Sequence, residues 1–257
     1  MIPLSLPLHV TVVVAALLLT APVSRAESAK ELIASGDALN RTFKGEEALK
    51  FYLPALELEQ ENVSLLVKIA LQYRYWMADA PTRKEKLRLG QLSLVYARRA
   101  TALAPEDAEA QLSTAISLGK MVPYQSSREQ LNASPRIKAA VDKAIQLDPD
   151  NDIAWHVLGR WHQGLADVSK LKRTLGPLLY GELPTSTNEE AVLCFEKAIA
   201  LDPLCLRHYI ELGVTYAQMG KNAEARKLIE KGLAMPNLEK DDPESKEHGR
   251  EELGKLP

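Results

Sequence analysis

The stretch IAWHVLGRWHQGLA, Ile153 to Ala166, sets two Trp-His pairs six residues apart in a chain that has only three tryptophans and five histidines. Imidazoles bind zinc and indoles stack on flat or cationic groups, so a metal site or a stacking platform has to be weighed. A helix turns about 100° per residue, which carries His162 roughly 240° away from His156, and the two cannot share one face. A zinc helix places His at i and i+4 with a third ligand nearby. The remaining reading is structural: aromatic anchors on a packed helix.

No other set of residues has catalytic spacing. The chain shows no Gly-rich phosphate loop and no nucleophile elbow, and no Ser/His/Asp or Cys/His spacing rises above chance, so neither an enzyme, a cofactor nor a metal is expected. The two cysteines, Cys194 and Cys205, lie across an expected helix end and read as partly buried apolar residues; a disulfide between them is the alternative.

The elements that hold these residues come from a repeat. Proline falls at Pro105, Pro149 and Pro203, closing the similar phrases RRATALAP, VDKAIQLDP and FEKAIALDP. Trp155, Leu158 and Gly159 follow Pro149 at the offsets at which Tyr209, Leu212 and Gly213 follow Pro203, with Tyr216 beyond. Ala191, Phe195 and Ala198 precede Pro203, completing the tetratricopeptide signature. Trp155 is then the wedge between paired helices, and Gly159 lets them approach closely. Fainter units are marked by Gly36, Ala48, Tyr52 and Ala55; by Ala70, Tyr73, Ala97 and Ala100; by Ala115, Val141 and Ala144; and by Gly213 with Ala225. The fold class is all-α, a tetratricopeptide-type solenoid of about five helical hairpins over residues 27–240, with a charged capping helix over 241–257.

An unmodified unit separates its Gly from the next Ala by about twelve residues. Ala70 to Ser93 spans 23, Ala115 to Ile137 spans 22 and Gly159 to Ala191 spans 32, so units two to four carry insertions, expected to project from one side. Thr82 with Glu85 and Thr187 with Glu190 read as capping boxes opening second helices, and Ser134-Pro135 as a cap doing the same in unit three.

The stretches AISLGK (Ala115 to Lys120), LDPDNDIAWHVLGRWH (Leu147 to His162) and LYGELPTSTNEEAVLCFEKAIALDP (Leu179 to Pro203) resemble the regulator of microtubule dynamics family over roughly residues 30 to 257. The specific part is the aromatic-Gly-x-x-Pro-x-Ser-Thr phrase before the Thr187 cap. The resemblance implies a helical adaptor without catalytic residues; animal members are associated with microtubules or spindle poles, and one is a mitochondrial outer-membrane tether whose repeat domain binds phospholipid. This chain departs from them at its start. Residues 1–26 have no acidic residue, an apolar core from Val10 to Leu19, too short for a comfortable span, and small residues at Ser24 and Ala26. An export signal cleaved after Ala26 is expected, with a periplasmic or secreted product, and a membrane anchor as the alternative. A cytoskeletal role would need an anchor that keeps the repeats in the cytosol.

At 46% hydrophobic, 26% charged and a net charge of -2, the composition is that of a folded protein without the basic footprint of a nucleic-acid binder. By register, the inner face of the solenoid presents Val67, Leu71 and Arg74; Leu112, Ile116 and Lys120; His156 and Arg160; and Ile210 and Val214, with Arg207 at the rim. An apolar trough with a basic rim suits an acidic-flanked apolar peptide, or a phospholipid or fatty acid. The alternative is that the insertions fill the trough as core. KLKRTLGPLLYG, Lys170 to Gly181, reads as leucines packed on the solenoid with wet lysines, and the charge run Glu239 to Glu252 as a solvated face.

Overall fold

The computed structural model describes residues 28–167 and 185–257. The expected leader and most of the unit-four insertion, including Lys170 to Gly181, lie outside the described residues.

Most of the described helices begin where a short polar side chain can take up the free amides of the first turn. Ser28 opens α1 (Ala29–Asn40), Asn62 opens α3 (Val63–Asp79), Thr82 opens α4 (Arg83–Leu103) and Asp107 opens α5 (Ala108–Met121). Ser126 opens α6 (Ser127–Leu147), Asn151 opens α7 (Asp152–Ala166) and Thr187 opens α8 (Asn188–Leu201). The others are α2 (Gly45–Leu58), α9 (Leu206–Gln218), α10 (Asn222–Ala234) and α11 (Asp242–Lys255), with no strand among the described residues. Successive helices pair as five hairpins, and α11 packs on α9 and α10.

Thr187 and Glu190 form the expected reciprocal box. Thr82 accepts from the Glu85 amide, but the Glu85 carboxylate turns outward to Arg88, 2.6 Å away. Ser134-Pro135 does not start a helix. The cap is Ser126, boxed with Glu129, and α6 runs through Pro135. The Ser134 carbonyl and hydroxyl accept instead from Trp161 Nε1, each at 3.0 Å, which ties α7 to α6.

The insertions of units two and three do not project as loops. Their residues lengthen the helices: α3 and α4 have 17 and 21 residues and α6 has 21, against 12 and 14 for α1 and α2. Only three residues separate α3 from α4. Ten extra residues add about 15 Å of helix, and their apolar faces are buried by the neighbouring hairpin.

Gly159 fits its expected role, since a Cβ there would stand 2.8 Å from the Phe195 ring. Ala191, Phe195 and Ala198 are fully buried, with Leu212 packed on the ring. Trp155 is half-buried and packs against the core shared by α5, α6 and α7, and its Nε1 also donates to the Pro149 carbonyl at 2.8 Å. Tyr209 Oη donates to the Pro203 carbonyl at 3.1 Å and Gln111 Nε2 to that of Pro105 at 2.8 Å, also six residues back. The recurring position thus clips the inter-repeat loop to the helix that follows it.

Candidate functional site: the concave cavity and its acidic strap

The inner face is built where α3, α5, α7 and α9, the first helices of consecutive units, stack. Polar side chains bond them in series. Arg74 of α3 donates to Ser113 and Ser117 of α5, both at 3.1 Å. Asn151, capping α7, donates to Glu109 of α5 at 3.0 Å. Gln163 of α7 reaches the Glu211 carbonyl and Thr215 of α9, and Arg160 pairs with Glu211. The face is therefore more polar than an aliphatic trough.

A cavity of about 400 Å³ opens on this face. Of the residues expected there, Leu71, Arg74, Ile116, Lys120 and Arg207 line it. Leu112, Ile210 and Val214 do not; they are at most 5% exposed in the core. Ile210 faces Gly232 and Gly249, so α10 and α11 cover what register alone made a groove position. Val67 is half-buried against the N-terminal core, and His156 and Arg160 belong to the contact between α7 and α9.

The other wall of the cavity comes from Leu238 to Asp241, the linker entering α11, and from Asp242 at the helix start. Asp241 lies 2.7 Å from Lys120 Nζ and 4.0 Å from Arg207, and Asp242 lies 3.6 Å from Arg207 Nε. Lys240 reaches across to Asp79 at 2.8 Å. The amides of Leu238 and Glu239 both donate to Asp242 at 2.8 Å, which fixes the strap's curvature. The head of the charge run is therefore not a solvated face: Asp242 is 3% exposed. Leu238 and Leu204 remain more than half exposed at the mouth.

Burial sets the electrostatics. It lowers the Arg74 guanidinium to about 10 and lifts the Tyr75 phenol to about 12, the latter helped by Glu239 and Asp241. Burial also pushes Asp241 upward, but the attraction of Lys120, then of Arg207 and Arg74, outweighs it and holds the carboxyl below its ordinary value.

The two histidines of the opening stretch part as the helical rotation requires. His162 Nδ1 meets Ser186 Oγ and lies 3.5 Å from Glu190, beside the α8 cap. His156 Nδ1 lies 3.0 Å from His208 Nδ1, and His208 Nε2 lies 2.9 Å from Asp152. His156 is held neutral by burial and by the cations around it. Both cysteines are free thiols. Cys194 is an apolar core residue as expected, whereas Cys205 lines the cavity as the N-cap of α9, in reach of His208 and Asp152. Burial would raise the Cys205 thiol, yet hydrogen bonds and charge from His208 and Arg207 bring it below its ordinary value. The Cys205-x-x-His208 spacing on one helical face was readable in the sequence; Asp152, 53 positions before Cys205, was not.

These stacked hairpins define a tetratricopeptide-type α-solenoid. Its backbone superposes with TM-score 0.63 on a thermophilic tetratricopeptide-repeat protein of Thermus thermophilus, at 14% identity, over 88% of this chain and 99% of that one. Residues 27–257 match the family described as regulator of microtubule dynamics protein 1-3, and the chain belongs to that family. It is 24% identical to regulator of microtubule dynamics protein 2 of Rattus norvegicus over 76% of this chain and 48% of the relative. With protein 1 of Caenorhabditis elegans it shares 27% over 57% of this chain and 65% of the relative. The chain thus spans about half to two thirds of the length of these relatives.

Proposed function

We propose that the solenoid is a non-enzymatic scaffold working outside the cytoplasm, and that its concave cavity receives an apolar protein segment carrying acidic residues. One observation carries this reading: the chain's own Leu238-Glu-Lys-Asp-Asp242 strap offers that chemistry to the cavity, with Asp241 on Lys120 and Arg207 and a leucine at the mouth. A partner would take the place of the strap and inherit its ion pairs. The N-terminal composition supports export, and with it a partner other than a microtubule.

A second reading, a fatty acid or phospholipid, is favoured by Leu71, Ile116 and Ile153 lying beside Arg74, Lys120 and Arg207. Native mass spectrometry of the gently purified full chain, followed by organic extraction, separates the two. A clean protein mass that shifts on adding a synthetic peptide of residues 235–245 supports the scaffold. A stoichiometric co-purified lipid supports the second reading.

A further inference from the structure

We propose that Asp152, Cys205 and His208 form a binding site for a zinc-class divalent metal ion. One ligand atom from each residue lies within 4.8 Å of the other two, and they come from two consecutive repeats. Bond lengths of about 2.0–2.3 Å to O, N and S in a tetrahedral site put such atoms about 3.4–3.6 Å apart, so small rotamer adjustments suffice. The donor set is mixed: a thiolate, an imidazole and a carboxylate, which suits borderline zinc and not the all-oxygen preference of calcium or magnesium. Two anionic donors also balance a divalent charge, and the Arg207 guanidinium beside Cys205 also faces Asp241 and Asp242, 4.0 and 3.6 Å away.

The supporting shell is present. His208 is fully buried, and its Nδ1 is committed to His156 Nδ1 at 3.0 Å. That leaves Nε2, the nitrogen facing Asp152, for the ion, with the Nδ1 proton donated to His156, as ligating histidines require. Asp152 and Cys205 line the cavity, so a fourth position faces its interior. The metal site does not depend on what else the cavity binds.

The test is titration of the untagged, chelator-stripped full chain with Co(II), read by the thiolate-to-cobalt charge-transfer band and by displacement with Zn(II). The band should saturate at one equivalent and vanish on adding zinc. Cys205→Ser should abolish the band and Cys194→Ser should keep it. Serine is a favoured N-cap, so the Cys205→Ser chain keeps its fold, checked by circular dichroism. His156→Ala should weaken affinity by about 10- to 100-fold while retaining the band. Absence of the band in the folded wild-type chain, or its persistence in Cys205→Ser, would overturn the site.

Discussion

Lys120 of α5 and Asp241 of the C-terminal strap meet at 2.7 Å across the concave face. Together with Lys240 and Asp79, 161 residues apart, this contact draws the end of the chain back onto the third helix. The Lys120 pair is partly buried and contributes about 1 kcal/mol, whereas Lys240–Asp79 is an exposed pair that contributes less. Lys120→Ala should leave global helicity intact and raise the hydrogen-exchange rates of the Leu238 and Glu239 amides several-fold, as measured by mass spectrometry. Unchanged rates would show that the strap is held by other contacts.

The strap should also respond to acid. Asp241 titrates below the ordinary aspartate value of 3.8 in the fold, so its contribution is full above that value and is lost as pH falls through the folded one. Strap protection should persist at about pH 5.5 and weaken at about pH 3. In Lys120→Ala, which removes the strongest opposing attraction, the loss between these pH values should be smaller.

Gly159 and Phe195 set the separation of α7 and α8. Gly159→Ala drives a methyl to within 2.8 Å of a fully buried ring and should cost about 1–3 kcal/mol by urea denaturation. Combining it with Phe195→Leu should give less than the sum of the two single losses, because the ring is the obstacle.

The clip between Trp155 and Pro149 is a single hydrogen bond on a half-buried side chain. Trp155→Phe should therefore cost about 0.5–1.5 kcal/mol, and Tyr209→Phe a similar amount by loss of the bond to Pro203. A loss of about 4 kcal/mol or more, the size expected of a core residue, would show that the packing of the indole on the core outweighs the clip.

The hairpins were legible because Gly159, Ala191, Phe195 and Pro203 recur with relatives at fixed offsets, and packing demands small residues where helices cross. Counting residues between Ala70 and Ser93 could not tell a projecting loop from extra helical turns, since both consume the same length of chain. Pro135 misled because a cap-then-proline pair opens many helices, whereas here Trp161 takes the Ser134 carbonyl. Register placed Leu71, Ile116, Lys120 and Arg207 around one cavity. It placed Ile210 and Val214 there as well, because nothing local announces that α11 folds over α9. The strap was the least legible part: an acidic run reads as solvated until the cations that face it are known.

If Lys120 and Arg207 recognise an acidic segment, the strap must compete with that segment for them. Anisotropy of a labelled peptide of residues 235–245, titrated with the full chain, tests this directly. Asp241→Ala/Asp242→Ala should bind at least about 10-fold tighter than wild type, since more of the protein is then open to the peptide. Adding Lys120→Ala and Arg207→Ala should remove that binding. Equal affinity in all three proteins, or none in any, would contradict the account.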